Sequence, residues 1–267
     1  MTNNLAGLLA VTITADPTRP LLTWYDDASG DRTELSGATL ANWVAKTANL
    51  VVDGAGAAAG DHAEVFLPPH WQTAAVLLGC WSAGLTVRGI GIGIAEAKPT
   101  GADPTTAGAD PTTAGAGSTG AGAAVRPVDP IAEVLFAATE TLPAIGGQPA
   151  GERYLLSLAP MAMPAREVPA GWVDYITEVR GHGDHFTPYP AVDQQDAQLA
   201  AHATRRFAAL GISPGARVLV DVDRHPDPVD WLLAPLAAEA SVVLCRNLDR
   251  RLLDGRTHSE KVDHVLA

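Results

Sequence analysis

The chain has few of the residues that build disulfide frameworks, membrane spans or surfaces for polyanions. Its 267 residues include two cysteines, Cys80 and Cys245, both in apolar runs, which predicts small core thiols and excludes a disulfide scaffold. Asp and Glu outnumber Lys and Arg by 30 to 18, and this balance excludes a nucleic-acid surface, which needs clustered cations. The apolar run from Leu5 to Ile13 is too short to cross a bilayer and has no basic segment before it. We therefore predict a cytoplasmic protein that contacts neither nucleic acid nor membrane.

A repeated layout in residues 38–90 and 194–247 is the main positive feature of the sequence. In each copy an amphipathic helix leads to a glycine, a β-rich run, a Pro-containing turn with a Trp, an Ala/Leu-rich helix that ends at a small residue, and a second β-rich run. Strands that alternate with helices predict parallel sheets with helices packed on them. The paired landmarks are Gly60 and Gly215, Val65-Phe66-Leu67 and Val218-Leu219-Val220, Trp71 and Trp231, and Gly84 and Ala240.

The segments outside the repeat contribute further elements. Leu5–Ala15 reads as a helix, residues 21–25 and 32–35 as the strands of a small N-terminal hairpin, and Thr39 as the N-cap of the next helix. Later segments predict two buried strands and a helix, at residues 131–137, 154–158 and 172–180. The fold class that follows is α/β, with two similar doubly wound, largely parallel sheet subdomains and the hairpin.

A low-complexity stretch divides the chain at residues 99–127, where Ala-Asp-Pro-Thr-Thr-Ala-Gly occurs twice in tandem. Pro104 and Pro111 exclude a coiled coil, so we predict a flexible insertion. The predicted first α/β subdomain spans residues 1–98, and the insertion spans residues 99–127. Residues 128–192 continue the first subdomain and include a degenerate phosphate-loop region. Residues 193–267 form a truncated second α/β subdomain.

Both copies of the repeat resemble the adenylate-forming enzymes, which are acyl-CoA synthetases and their relatives. The first copy resembles the opening subdomain of that family through Thr39-Leu40, Gly60-Asp61, Val65 to Pro68 and Trp71 to Gly84. The second copy resembles the start of the family's second subdomain through Leu210 to Val218 and Val242 to Leu244. The chain is particularly similar to the short, stand-alone actinobacterial relatives of AMP-binding proteins, whose function is uncharacterised.

The phosphate-binding loop that this resemblance implies is degenerate here. The family has a Ser/Thr/Gly-rich loop ending in Pro-Lys-Gly just before the first helix of the second subdomain, where backbone N–H groups, hydroxyls and an ammonium hold phosphates. We place the corresponding segment at residues 175–186. Only Thr177, Gly181 and Gly183 keep the required character, and carboxylates at Glu178 and Asp184 would repel a triphosphate.

Lysine is also scarce, since the chain has only Lys46, Lys98 and Lys261, and none is expected near this loop. The family's aromatic-Gly-Thr-Glu segment, ribose-binding Asp and C-terminal lid are absent from the sequence. We therefore predict no catalytic residue and no cofactor, in a non-catalytic homologue of the family's N-terminal part that binds a small ligand or a partner protein. The alternative is a residual acyl-adenylate or AMP-binding ligase activity that uses ATP or AMP with Mg and is completed by another polypeptide. A homodimer stays open.

Three other motifs carry less specific signals. The G-x-G-x-x-G match at residues 115–120 lies in the insertion, and Gly89–Gly93 is more typical of a strand exit than of a phosphate loop. A zinc ion could be bound by His182, Asp184 and His185 with one more donor. The favoured interpretation is that these three residues are exposed in a loop and bind no metal.

Two aspartates, Asp221 and Asp223, follow a predicted parallel strand and could approach the same crevice as the histidines. A crevice between the halves lined by His182, Asp184, Asp221 and Trp231 would support ligand binding. A filled crevice would indicate a scaffold.

Overall fold

The computed structural model describes residues 5–14, 16–89, 131–145, 147–190 and 194–267. The predicted insertion at residues 99–127 lies outside the described residues, together with its G-x-G-x-x-G match and the part of Gly89–Gly93 that follows its first glycine. The domain boundaries proposed at residues 98, 127 and 192 stay a prediction.

The strands of the described ranges form two five-stranded sheets, which we call sheet A (order β10-β8-β9-β1-β2) and sheet B (order β4-β3-β5-β6-β7). All neighbouring strands are parallel except β1 and β2, which form an antiparallel hairpin. The prediction of two largely parallel α/β sheets with a hairpin is therefore confirmed. The strands are β1 (Pro20–Asp26), β2 (Asp31–Ser36), β3 (His62–Phe66), β4 (Thr86–Gly89), β5 (Ala132–Ala138), β6 (Ala150–Leu156), β7 (Val173–Asp174), β8 (Arg217–Asp221), β9 (Ser241–Arg246) and β10 (His264–Leu266).

The helices connect these strands, and two of the helical segments contain π-helical turns. The π turns are Leu50–Gly54, which continues α2, and Val229–Leu233, which precedes α7. A 3-10 turn lies at Pro160–Ala162. The helices are α1 (Leu5–Thr14), α2 (Gly37–Asn49), α3 (Trp71–Ser82), α4 (Leu142–Ile145), α5 (Tyr175–Val179), α6 (Gln194–Ala209), α7 (Ala234–Ala237) and α8 (Leu253–Ser259). Among the described residues, none of these helices has the length and apolar character that a bilayer span requires.

Two helix boundaries differ from the sequence-based expectation. Ser36, and not Thr39, caps α2, because the Ser36 hydroxyl accepts a hydrogen bond from the Thr39 N–H at 3.1 Å. The helix predicted from Trp172 begins only at α5, because Val173 and Asp174 pair with β6 as the strand β7. Tertiary pairing overrides the local helical pattern at this point.

One shared core joins the two sheets. The inner face of sheet A contributes Trp24 and Leu244, the inner face of sheet B contributes Phe136, and helices α1, α2, α3, α6 and α7 contribute to the same buried cluster. The outer faces have smaller clusters, near Ile145 of α4 on sheet B and near Cys245 and α8 on sheet A. Cys80 and Cys245 are both free and buried, and burial raises the pKa of each thiol.

The strands of the two copies and the turn before the second strand are related by a spacing of 155 residues. Thr86 donates its N–H to the Asp61 carbonyl at 2.8 Å, and Ser241, 155 residues later, donates to Ala216 at 2.9 Å. The Gly84 N–H donates to the Trp81 carbonyl at 3.1 Å, and the Glu239 N–H donates to the Leu236 carbonyl at 3.0 Å. The backbone hydrogen bonds therefore show that Glu239 is the equivalent of Gly84 in the second copy. This corrects the sequence-based match of Gly84 with Ala240. Positive φ angles of 73° at Gly84 and 54° at Glu239 agree with this match.

The hairpin belongs to the sheet of the second copy. Strand β1 lies between β2 and β9, and Leu22 is the register partner of Val242. Sheet A therefore combines residues from both ends of the described chain. The helix α8 and the strand β10, which the sequence analysis did not assign, complete this sheet on its other side.

Candidate functional site

The first part of the segment predicted as a degenerate phosphate loop is a helix. Asp174 caps α5, and its Oδ1 accepts hydrogen bonds from both the backbone N–H and the hydroxyl of Thr177, each at 2.7 Å. Tyr175 and Ile176 are fully buried. The segment therefore begins within the helix predicted at residues 172–180, and the Thr177 hydroxyl is committed to the helix cap.

The turn after α5 uses its own N–H groups. Gly181 donates to the Glu178 carbonyl at 3.0 Å, and His182 donates to the Val179 carbonyl at 3.2 Å. A phosphate loop works by directing such N–H groups at the ligand. In this turn the two donors point back at the end of α5.

The last turns of α2 bind the carbonyl groups of the same segment. The Lys46 ammonium donates to the His182 carbonyl and, at 3.4 Å, to the Arg180 carbonyl. The Asn49 amide donates to the carbonyls of Gly183 and His185 at 2.8 and 3.0 Å. The expectation that no lysine lies near the segment was wrong, because the fold brings together residues separated by 134 positions or more. The spacing of three residues that places Lys46 and Asn49 on one helix face was the available signal.

The three residues considered as zinc ligands do not form a metal site in the described part of the chain. Asp184 and His185 are exposed and His182 is half-buried. The described ranges contain no group of three or more His, Cys, Asp or Glu side chains that could hold a metal ion.

The aspartates that follow β8 are used within sheet A. Asp221 accepts from the Asp223 N–H at 3.3 Å and lies 3.6 Å from the Arg250 guanidinium. Asp223 accepts from the Asn247 N–H at 2.6 Å. These contacts fix the loop after β8 and give its two carboxylates structural partners.

The space between the two halves is filled at Trp231. This side chain is 1% exposed, and its Nε1 donates to the Pro226 carbonyl at 3.2 Å. The cavity between Trp231 and β3 measures about 10 Å³, which holds at most one water molecule. Its lining includes none of His182, Asp184 and Asp221. Of the four residues proposed to line a crevice, Trp231 alone lines this cavity, and it closes the space.

A buried histidine that sequence reasoning missed lies where the halves meet. His70 is the N-cap of α3, its Nδ1 accepts from the Gln72 N–H at 3.2 Å, and its ring packs edge-on against Trp24 with centroids 4.7 Å apart. Burial, and secondarily the positive charge of Arg246, lower the pKa of His70 to about 3. The imidazole is therefore neutral near pH 7 and acts as a helix cap.

A concavity of about 430 Å³ opens at the amino ends of β1, β8 and β9. We call it the basic cleft. Its lining residues with charged side chains are Arg19, Arg32, Glu34, Arg217, Glu260 and Lys261. Sequence reasoning did not find this cleft, because its lining residues come from five separate segments of the chain.

A comparison with curated proteins finds a close relative. A Mycobacterium tuberculosis protein described as a TIGR03089 family protein is 38% identical over 267 residues, which cover 97% of this chain and 96% of that protein. No family model matches the sequence.

Solved structures share the fold at low sequence identity. Brucella canis acyl-CoA synthetase matches with a TM-score of 0.63 at 13% identity, over 98% of this chain and 46% of that chain. The N-terminal domain of FACL13 from Mycobacterium tuberculosis matches with a TM-score of 0.60 at 12% identity, over 98% of this chain and 62% of that chain. The anthranilate CoA ligase AuaEII, solved with anthranoyl-AMP, matches with a TM-score of 0.64 at 13% identity, over 99% of this chain and 50% of that chain. The chain thus spans about half the length of the two synthetase-type enzymes, and the fold of the N-terminal part of adenylate-forming enzymes is confirmed.

Proposed function

The chain belongs to the TIGR03089 family and has the N-terminal fold of adenylate-forming enzymes, and from this premise we propose that it is a non-catalytic member of that fold. It acts by binding a small ligand or a partner protein. The observation that carries the proposal is the internal use of the segment after α5. The N–H groups of Gly181 and His182, and the ammonium of Lys46, all bond to backbone carbonyls.

Recruiting these donors to a triphosphate would leave their present partners without hydrogen bonds. The bond from Lys46 to the His182 carbonyl is part-buried and the bond to the Arg180 carbonyl is exposed, so moving Lys46 to a ligand costs about 1 kcal/mol, the net contribution of an ordinary hydrogen bond. The carboxylates of Glu178 and Asp184 on the same segment repel phosphate oxygens. Removal of a single oxyanion donor slows a reaction by roughly 10²-fold or more, and here several donors are committed elsewhere.

The filled space at Trp231 supports the same proposal. A cavity of about 10 Å³ cannot admit a nucleobase or an acyl chain between the two halves. A ligand of that size therefore does not bind beside Trp231.

A pyrophosphate-release assay tests the proposal. The full chain is incubated with ATP, Mg²⁺ and a panel of carboxylic acids, and we expect release at the protein-free background. Lys46→Met should leave the pyrophosphate signal unchanged while it lowers the melting temperature, because it removes the hydrogen bonds to the carbonyls of Arg180 and His182. Arg166→Met is the matched control, since it removes the same charge at an exposed position that does not line the basic cleft. Release above background that Lys46→Met abolishes and Arg166→Met preserves would overturn the proposal.

The alternative is a ligase activity completed by another polypeptide, and it is motivated by the 46% and 50% coverage of the two synthetase-type enzymes. Calorimetry with ATP separates the two functions. Micromolar binding of ATP favours the alternative, and an absence of heat counts against it.

A further inference from the structure

The basic cleft has a charge opposite to that of the chain as a whole. Within it, Arg32 pairs with Glu34 and Glu260 at 2.6 and 3.0 Å, and Arg217 pairs with Glu260 at 2.6 Å. Two carboxylates thus offset two guanidinium groups, and two further cations line the same cleft.

Those two cations are Arg19 and Lys261, and neither forms an ion pair with any described residue. The cleft therefore carries an excess of two positive charges in a protein whose formal net charge is −12. In such a protein a local excess of positive charge attracts small anions and concentrates them at the cleft.

Arg19 also has an unused donor. Its Nη2 donates to the Glu239 carbonyl at 2.8 Å, whereas its Nε–H is buried and has no hydrogen-bond partner among the described residues. A buried donor without a partner is uncommon in folded proteins and calls for a ligand or an ordered water. Because Arg19 also lines the cleft, an oxyanion bound there would balance the charge of its guanidinium.

The floor of the cleft is fixed before any ligand binds. Glu260 accepts from the Tyr25 hydroxyl at 2.6 Å, and Arg217 donates to the Thr23 hydroxyl at 2.9 Å. Burial would raise the pKa of Glu260, but hydrogen bonds from Tyr25, Arg217 and Arg32 outweigh it and lower the pKa to about 2. The Glu260 carboxylate therefore stays ionised and holds both arginines in place at neutral pH.

We propose that the basic cleft binds a small organic oxyanion, a carboxylate or a phosphate ester, with Arg19 and Lys261 as the binding cations. A volume of about 430 Å³ lies within the range of small-molecule sites, which is roughly 300–1,000 Å³. The inference rests on the proposed function, because it names the class of ligand that a non-catalytic chain would bind. The two can fail separately: adenylation appears as pyrophosphate release, and the cleft is tested by binding alone.

Calorimetric titration at low ionic strength tests the cleft, with inorganic phosphate and succinate as separate probes. We expect saturable binding of one anion per chain, weakened by added NaCl. Lys261→Met and Arg19→Gln should each weaken binding about tenfold, the usual effect of losing one charge-assisted contact. Arg166→Met is the matched control, because Arg166 is exposed, does not line the cleft, and carries the same charge. Melting temperatures of all variants establish that each one is folded.

Each outcome has a defined meaning. Binding of phosphate alone assigns a phosphate ester, binding of succinate alone assigns a carboxylate, and both support the proposal if the cleft variants weaken them. Absence of saturable binding by both probes overturns it. Equal weakening by Arg166→Met and Lys261→Met also overturns it, because that result indicates general charge attraction. Lys261→Met is the decisive variant, since its exposed side chain has no described partner whose loss would perturb the fold.

Discussion

The two copies of the repeat use one backbone plan with different side chains at matching positions. Residues 155 apart make equivalent backbone hydrogen bonds, yet Gly79 corresponds to Ala234 and Gly84 corresponds to Glu239. The first copy has glycine where another element approaches closely, and the second copy has a side chain where space is available. The backbone hydrogen bonds of the turns therefore determine which positions of the two copies are equivalent. Packing against neighbouring elements determines which residue type occupies each position.

The largest expected difference between the copies concerns Gly79. A Cβ at this position would lie 2.6 Å from the Thr47 Cβ on α2. Thr47 cannot move away easily, because its hydroxyl bonds to the Trp43 carbonyl at 2.8 Å and to the Tyr175 hydroxyl at 2.7 Å. Gly79→Ala should therefore lower the free energy of unfolding by about 3 kcal/mol, the upper end for overpacking. Denaturant unfolding measures this change.

Ala234→Gly is the matched control in the second copy. Ala234 is fully buried, and a glycine there should cost about 1 kcal/mol through backbone entropy. If Gly79→Ala costs no more than Ala234→Gly, the close approach of α2 and α3 does not distinguish the copies.

The next difference is between two histidines that are also 155 residues apart. The His70 side chain is buried beside Trp24, whereas the His225 side chain is half-buried. The Nδ1 of His225 lies 3.2 Å from the Oδ2 of Asp230. The folded state keeps His70 neutral down to a pKa of about 3, but the unfolded chain takes up a proton near pH 6.5. Because the unfolded state binds the extra proton, stability falls as pH drops below about 6.5, by about 2 kcal/mol at pH 5.

His70→Asn should remove this acid-dependent loss, since asparagine can still cap α3 without titrating. The measurement is the free energy of unfolding at several pH values between 7 and 5, compared as slopes. His225→Asn is the control, and it should keep the part of the pH dependence of the unfolding free energy that comes from His70. An unchanged slope in His70→Asn would contradict the assignment.

The smallest difference is at the helix ends. Gly84 and Glu239 both have positive φ, which favours glycine, and a Cβ at Gly84 would lie 3.0 Å from the Ala59 Cβ. Glu239→Gly should stabilise the chain by about 0.5–1 kcal/mol by relieving the strained conformation. Gly84→Ala should destabilise it by about 1 kcal/mol or more. Thermal unfolding of both variants checks the two opposite signs, and shifts of the same sign would break the proposed equivalence.

Local patterns in the sequence predicted most of the elements but not their partners. The helix at Leu5 was predicted from an apolar run that ends at Asp16-Pro17, and the hairpin strands from two β-rich runs that flank a polar loop. The pairing of Leu22 with Val242 was not predicted, because a buried strand of Leu and Val can pair with any other such strand. Register between distant segments depends on the packing of the whole molecule.

The candidate site illustrates the same limit. The helix predicted at residues 172–180 contains α5, and its true start is marked by the N-cap residue Asp174. No local pattern could have placed Lys46 beside His182 or brought Arg19 and Lys261 to one cleft. Those contacts arise only when separate segments fold together.

The insertion of β1 between β9 and β2 has a consequence for the order of folding during synthesis. Residues near position 22 leave the ribosome early, but the strand they pair with is translated more than 200 residues later. Until then the hairpin has an open hydrogen-bonding edge, which is a site of aggregation that a chaperone can shield. Nascent chains arrested before β9 should therefore depend on chaperones far more than chains released at full length.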